Sequence, residues 1–215
     1  GIGGLAAAAL LAKAGHRVTV FEQAAQAGGK AASVELGGYR FDTGPSLFTL
    51  PDVFRAFFER LGRDLRDYLD LVPLAPLCAY EFADGTRLRS YSDRARFGAE
   101  LEAAGVAKAA ELDGYLERSA RLWEWAGELF LTRSLHEPAT YASRKGLKAL
   151  LNAARLSPFS NLHAANDRAF ADPRAAQLFD RYATYNGSSP FRTPATMRII
   201  PHVEYAFGGY ALKGG

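Results

Sequence analysis

The chain has 215 residues, of which 48% are hydrophobic and 23% are charged, and its formal net charge is +3. This composition suits a soluble globular protein of one or two domains, and the interspersed charges give no clustered basic face for nucleic acid. The single cysteine, Cys78, excludes an intrachain disulfide, and the four histidines show no metal-ligand spacing.

The first predicted element is a helix that begins among glycines. It combines Ala and Leu, which are strong helix formers, with Gly15 at the position of a helix-ending glycine. The next segment, HRVTVFE, predicts a short buried strand that ends at Glu22. Glycines, helix, strand and acid in this order are typical of a dinucleotide-binding fold, where the helix N-terminus faces the pyrophosphate and the acid binds ribose hydroxyls. An ordinary glycine-rich helix start is the alternative interpretation.

The glycine fingerprint is incomplete. Gly1 and Gly4 have the spacing of the second and third glycines of G-x-G-x-x-G, but the first glycine and the strand before it are missing. We therefore expect the chain to be part of a longer protein, cut inside its own fingerprint. Because an incomplete parallel sheet exposes apolar faces, we expect these residues alone to fold marginally, to bind cofactor poorly and to be inactive.

A second glycine motif follows Glu22 closely. Gly28-Gly29-Lys30 offers backbone N–H groups and a cation to a pyrophosphate. The segments ASVEL and YRFD flank Gly37-Gly38 and predict a hairpin, after which Thr43-Gly44-Pro45 can bring the backbone close to a flat ring.

These segments resemble the FAD-containing amine oxidase superfamily and, within it, the phytoene desaturase and carotenoid desaturase family. The similar stretches span the chain from Gly1 to Gly215; they are GIGGLAAA, VFEQ with the GGK that follows, GGYRFDTGPS, DPRAAQLFDRYATYNGSSPF and PHVEYAFGGYALKGG. The first three belong to the whole superfamily, and the last two point to the carotenoid branch and, more weakly, to its hydroxycarotenoid desaturases.

The resemblance implies an α/β fold. It consists of a Rossmann-like FAD-binding domain, incomplete here and without its first strand, and an inserted, largely helical α+β substrate domain. Residues 1–70 are expected to form the N-terminal part of the FAD-binding domain, residues 71–215 the substrate-binding and membrane-facing part, and the remainder of the FAD domain is expected to be absent from the chain. The cofactor-binding residues implied are Gly1, Ile2, Gly3, Gly4, Glu22, Gly28, Gly29, Lys30, Thr43, Gly44 and Pro45.

The middle of the chain predicts mostly helix. A helix starts at Pro51, a hairpin turns at Ala83-Asp84-Gly85, and residues 94–179 are mainly helical. Aromatic residues in and after this helical region either line a tunnel for a long apolar substrate or form helical core; they are Trp123, Trp125, Phe130 and Tyr141.

Two further segments have two interpretations each. SRKGLKALLNAARL predicts an amphipathic helix with Leu147, Leu150, Leu151 and Ala154 on one face and Arg144, Lys145, Lys148 and Arg155 beside them. This helix either lies in a membrane interface or packs on the core as a surface helix. The cluster of Arg181, Tyr182, Tyr185, Asn186 and Ser189 either borders a pocket or forms a hydrogen-bonded structural turn.

The expected function is FAD-dependent desaturation of a carotenoid precursor such as phytoene, by hydride transfer to the flavin. The alternatives are a carotenoid isomerase or hydroxycarotenoid desaturase, an amine or porphyrinogen oxidase, and a non-catalytic prenyl-protein binder of the GDP-dissociation-inhibitor type. The expected partners are a long apolar polyene and a membrane surface, at the cytoplasmic, inner face of the membrane. The sequence assigns no catalytic residue, no metal and no electron acceptor.

Overall fold

The computed structural model describes residues 1–127, 129, 133–134, 136–157 and 159–214, so Phe130 lies outside the described residues. The chain divides into two compact units: Gly1–Leu74 together with Gly209–Gly215, and Ala75–Gly208. Among the described residues, no helix is long and apolar enough to cross a bilayer. The assignment of cofactor and substrate functions to residues 1–70 and 71–215 stays a prediction.

The first unit contains the predicted glycine-rich helix and the predicted hairpin. Its elements are α1 (Ile2–Lys13), β1 (Ser33–Leu36), β2 (Tyr39–Asp42), α2 (Pro51–Arg60), β3 (Leu71–Pro73) and β6 (Tyr210–Leu212). Gly15 has a φ of +89° directly after α1, as a helix-ending glycine requires. Strands β1 and β2 are antiparallel, and Leu36 lies opposite Tyr39 across a turn in which both glycines have positive φ.

One strand pair of this unit was not expected from the sequence. Strand β3 pairs antiparallel with β6, so that Leu71 lies opposite Leu212 and Pro73 opposite Tyr210. The ladder is extended by the N–H of Leu74, which donates to the carbonyl of Gly209 at 2.9 Å. The chain therefore leaves and re-enters this unit at adjacent points.

The predicted strand from His16 to Glu22 is wrong. Residues 16–23 form no strand, and the side chain of Phe21 is 93% exposed. A strand exists only where a neighbour accepts and donates its backbone hydrogen bonds, and no described segment pairs with these residues. The β-branched composition alone therefore does not produce a buried strand.

The second unit is largely helical. Its elements are β4 (Cys78–Glu81), β5 (Arg87–Ser90), α3 (Arg94–Ala103), α4 (Ala109–Leu122), α5 (Pro138–Ala142), α6 (Arg144–Leu151), α7 (Leu162–Asp167), α8 (Pro173–Asp180) and α9 (Ile200–Phe207). The predicted hairpin is confirmed as β4 and β5, which are antiparallel. A π-helical turn, Trp123–Gly127, follows α4 directly.

The core of this unit lies between α3, α4 and α8. Phe97 and Leu101 on α3, and Leu112 and Leu116 on α4, are almost fully buried one helical turn apart. Phe179 on α8 is also fully buried in the same apolar cluster. The starts of α3, α7 and α8 are fixed because a side-chain oxygen of the preceding residue accepts from a backbone N–H of the first turn; these residues are Asp93, Asn161 and Asp172.

Candidate cofactor and substrate sites

The three glycine segments of the first unit lie against one another. A Cβ on Gly29 would come 2.8 Å from the Cα of Gly1, and a Cβ on Gly44 would collide with the carbonyl oxygen of Lys30. Thr43 ties the third segment to the second, since its N–H and its hydroxyl both donate to the carbonyl of Ala32, at 2.9 and 3.0 Å. These close approaches require glycine, so the fold brings together backbone segments that are well separated along the sequence.

The start of α1 is open to an anion. Gly1 is the N-cap, no side chain caps the first turn, and a Cβ on Gly3 or Gly4 would meet nothing within 4 Å. The first N–H groups of a helix have no partner within the helix, and they carry the positive end of its dipole. The first turn of α1 therefore fits a pyrophosphate.

Glu22 lies in the same cleft as these glycines. The cleft has a volume of about 290 Å³, and Gly1, Gly4, Val20 and Glu22 are among the residues that line it. The N–H of Ala24 donates to Oε1 of Glu22 at 3.0 Å, and this bond lowers the pKa of the carboxyl below its usual value. An ionised acid beside an open glycine turn fits the ribose and pyrophosphate of a dinucleotide, and the individual cofactor contacts stay predictions.

A buried polar cluster occupies the second unit. Glu204, whose side chain is only 1% exposed, forms an ion pair with Arg181 and accepts from the hydroxyls of Tyr182, at 2.8 Å, and Tyr185. Burial raises the pKa of Tyr182, so its hydroxyl stays protonated and donates to the carboxylate. The sequence analysis gave two interpretations of the segment that contains Arg181, Tyr182 and Tyr185. The cluster fits the second of them, a hydrogen-bonded structural turn. Sequence reasoning missed Glu204, because nothing local links it to residues 181–185.

Two of the aromatic residues that were predicted to line one tunnel contact different partners. Trp123 packs with His202 and Phe207, at ring-centroid distances of 5.7 and 5.3 Å. Trp125 instead lies under the guanidinium groups of Arg118 and Arg155, at 5.3 and 5.9 Å. Trp123 and Trp125 therefore do not form a common lining.

Helix α6 turns its leucines outward. Leu147, Leu150 and Leu151 are 54%, 50% and 76% exposed, whereas the small residues Gly146 and Ala149 are buried. A Cβ on Gly146 would collide with the backbone of α5, so the inner face of α6 fits only a small residue there. At least half of each of these leucine side chains is therefore open to solvent.

Comparison with known proteins finds similarity to carotenoid desaturases. Residues 1–61 match an NAD(P)-binding Rossmann-like domain. Over its whole length the chain is 42% identical to 1-hydroxycarotenoid 3,4-desaturase of Flavobacterium sp. (strain P99-3) and 35% identical to phytoene dehydrogenase of Streptomyces griseus, covering 44% and 42% of those proteins. It is 33% identical to carotenoid 3,4-desaturase of Haloarcula japonica, of which it covers 43%. The chain is similar over its whole length to these carotenoid desaturases.

These similarities agree with the geometry of the first unit. The carotenoid desaturase relatives and the Rossmann-like match indicate an oxidoreductase family with a dinucleotide cofactor. They do not favour the isomerase, amine oxidase, porphyrinogen oxidase or prenyl-protein binder alternatives, whereas the first relative named above is itself a hydroxycarotenoid desaturase. The chain spans less than half the length of the curated relatives that it matches.

Proposed function

We propose that the complete protein is an FAD-dependent carotenoid desaturase. The observation that carries this proposal is the convergence of three glycine segments beside the open start of α1, with the ionised Glu22 in the same cleft. The names of the full-length relatives, which include phytoene dehydrogenase and all-trans-zeta-carotene desaturase, support the reaction.

FAD is proposed rather than a nicotinamide because of the second and third glycine segments. Gly1 and Gly4 leave room for the pyrophosphate, and Glu22 accepts hydrogen bonds from the ribose hydroxyls. Lys30 adds a cation beside the phosphates, and Gly44 brings backbone close to the flat ring. When bound, the flavin supplies the acceptor for a hydride, which no side chain can supply.

The proposed substrate is a long polyene, either a precursor such as phytoene or a hydroxylated carotenoid. The second possibility rests on two relatives, the 1-hydroxycarotenoid 3,4-desaturase and the hydroxyneurosporene desaturase of Rubrivivax gelatinosus, the latter 33% identical. Each buried CH₂ contributes roughly 0.8 kcal/mol, so such a chain needs few polar contacts to bind.

We also place the protein on a membrane surface, with α6 as the contact. Its exposed leucines provide an apolar face, and Arg144 and Lys145 at the start of the helix can meet anionic headgroups. A carotenoid is dissolved in the bilayer, so a lipid-facing helix gives the substrate a short way to the protein.

The reaction is tested with the complete protein, purified with its flavin and kept without an electron acceptor. Phytoene or 1-hydroxyneurosporene in liposomes should bleach the oxidised flavin, and the product should gain a conjugated double bond that shifts its absorption to the red. Simple amines should leave the flavin oxidised. Bleaching by amines and not by carotenes would contradict the proposal, and so would isomerised carotene without any change in flavin redox state.

A further inference from the structure

Two arginine side chains lie against one indole ring of the second unit. The guanidinium carbons of Arg118 on α4 and of Arg155 lie 5.3 and 5.9 Å from the ring centroid of Trp125. At such distances the face of an aromatic ring attracts a cation. The guanidinium of Arg118 also donates to the backbone carbonyl of Arg155. These contacts hold the two cations beside one another, and we call Arg118, Trp125 and Arg155 the Arg–Trp–Arg cluster.

The charges of Arg118 and Arg155 have no carboxylate partner within the described part of the chain. Apart from the indole, Arg118 contacts the backbone carbonyl, and Arg155 donates to Oδ1 of Asn152 at 3.1 Å. Burial lowers the pKa of the Arg118 guanidinium, and the like charges of Arg121 and Arg155 lower it further. Since an anion beside partly buried cations relieves their repulsion, the cluster favours an anionic ligand.

The acidic groups on the neighbouring turns are paired with other cations. Glu117 of α4 lies 3.8 Å from Arg121, and Glu124 of the π-helical turn lies 2.7 Å from Lys148 on α6. Arg198, whose pKa is lowered by burial and by the guanidinium charges around it, adds a further cation nearby. The positive charge of the Arg–Trp–Arg cluster is therefore left for a ligand from outside the described chain.

The Arg–Trp–Arg cluster lies beside α6, the helix with exposed leucines. Trp125 lines a small cavity of about 40 Å³ together with Lys145 and Lys148 of α6. The 3-10 helix Ala153–Leu156, which carries Arg155, follows the end of α6 with one residue between them. An indole and cations beside an apolar helix face are typical of a membrane interface, where Trp lies at the level of the headgroups.

The guanidinium groups favour a phosphate among the possible anions. Each guanidinium presents a planar set of N–H donors that matches two oxygens of one phosphate, which an ammonium group does not. Contact with the indole fixes the guanidinium groups and leaves N–H donors for a ligand. A phospholipid places its phosphate next to acyl chains, which can cover the exposed leucines of α6, whereas a free phosphate does not.

We propose that Arg118 and Arg155, positioned by Trp125, bind the phosphate group of an anionic phospholipid. This inference rests on the membrane placement in the proposed function. It adds a defined headgroup site to the apolar face and the basic residues of α6. A phosphomonoester lipid such as phosphatidate fits best, because its phosphate carries more than one negative charge and offers three free oxygens.

Lipid preference is measured by flotation of the complete protein with phosphatidylcholine vesicles. One set contains phosphatidate, the other contains phosphatidylserine, and the two sets are matched in surface charge. The wild type should bind the phosphatidate vesicles about tenfold more tightly, since charge-assisted hydrogen bonds to one phosphate contribute at least that factor. Equal binding to both sets would show a general attraction of charge and would overturn the site.

The decisive variant is Arg155→Lys, which keeps the charge and removes the planar donor group. Arg155 is exposed, so the fold should tolerate the change. The preference for phosphatidate should fall about tenfold, and binding to phosphatidylserine vesicles should stay normal. Arg96→Lys is the matched control, because the guanidinium carbon of Arg96 lies 3.6 Å from the ring centroid of Tyr91 and forms no such pair. This control should keep the full preference.

Soluble phosphates distinguish a lipid from a free ligand. Glycerol 3-phosphate and inorganic phosphate, each at the concentration of the vesicle phosphatidate, should leave the protein on the vesicles. Displacement under these conditions would identify a free phosphate as the ligand and would overturn the lipid assignment.

The remaining outcomes separate this site from the proposed function. If the wild type binds neither vesicle set, the membrane placement fails and the lipid site fails with it, while flavin bleaching by carotene still tests the reaction. If the wild type prefers phosphatidate and Arg155→Lys keeps that preference, the membrane placement stands and the Arg–Trp–Arg cluster is not the lipid site.

Discussion

Glu204 and Arg181 form an ion pair inside the second unit, with 1% and 27% of their side chains exposed. A buried carboxylate is tolerated only when cations and hydrogen-bond donors surround it, and here Tyr182 and Tyr185 complete that set. Tyr80 and Tyr205 lie in the same buried neighbourhood, where burial raises the pKa of both hydroxyls. The pair is therefore the centre of a buried polar cluster.

Removing the charge of Glu204 should destabilise the protein strongly. Glu204→Gln leaves Arg181 without its counter-ion in a largely buried position, which costs about 3 kcal/mol of unfolding free energy. Urea unfolding of the complete protein measures the loss. Glu81→Gln is the matched control, because Glu81 pairs with Arg87 at the surface and should change stability little. An equally small effect at both positions would contradict the role of the buried pair.

Gly44 should not accept a side chain. A methyl group there collides with the carbonyl of Lys30, so Gly44→Ala should cost about 1–3 kcal/mol and should lower flavin retention. Gly114 lies at an exposed position of α4, where an added methyl group meets nothing within 4 Å, so Gly114→Ala should raise stability by about 0.5–1 kcal/mol. Thermal unfolding and flavin content of the two variants are compared. Equal behaviour of the two glycines would count against the convergence of the glycine segments.

Glu22 should contribute to the affinity for FAD and not to the stability of the fold. Glu22→Ala removes the acceptor for the ribose hydroxyls, and the Kd for FAD should rise about tenfold or more. Glu35→Ala, on the exposed strand β1, removes a carboxylate of the same unit and should leave the Kd unchanged. Flavin release on dilution measures both. If the two variants release flavin alike, Glu22 is not a cofactor contact.

The stability of the protein should fall in acid through His202. Its folded-state pKa lies below the ordinary value of 6.5, so the unfolded chain takes up this proton first. The contribution of an uncharged His202 is therefore complete above pH 6.5 and is lost as the pH falls through its folded-state pKa. His202→Gln should flatten this part of the stability curve, and thermal unfolding between pH 7 and 5 shows the difference. If the stability curves of the wild type and of His202→Gln run parallel, His202 does not contribute to the pH dependence of stability.

Helix α6 should bind anionic vesicles. Binding of the complete protein to liposomes should rise with the fraction of anionic lipid and fall with salt, because charged side chains are screened. Replacing Arg144, Lys145 and Lys148 by Glu should weaken it. Replacing Leu150 by Asn should weaken it as well, whereas Leu151→Ile should not. Unchanged binding of the reversed-charge variant would leave α6 as an ordinary surface helix.

Local signals in the sequence predicted local structure correctly. The helix that begins among glycines, the hairpin at Gly37-Gly38 and the hairpin at Ala83-Asp84-Gly85 each depend on residues within one element, and all three are confirmed. The strand from His16 to Glu22 failed, since a strand also depends on a neighbour that a single segment cannot specify. The pairing of β3 with β6 was missed for the same reason.

The candidate sites likewise include features that local sequence signals predict and features that depend on distant segments. The glycine segments could be found because cofactor chemistry demands glycine at fixed spacing, and the structure adds that they touch. The Glu204 cluster could not be found, because it joins side chains from separate segments of the chain. Trp123 and Trp125 are neighbours in sequence, yet the π-helical turn sends them to different partners.

The pairing of β3 with β6 has a consequence for biosynthesis. The ribosome finishes β3 and must then make residues 75–208 before β6 exists, a wait on the order of ten seconds at ordinary rates of translation. During that time one edge of β3 has no partner, while the helices of 75–208 can already pack on one another. The helices of 75–208 can therefore pack before β3 and β6 are able to pair.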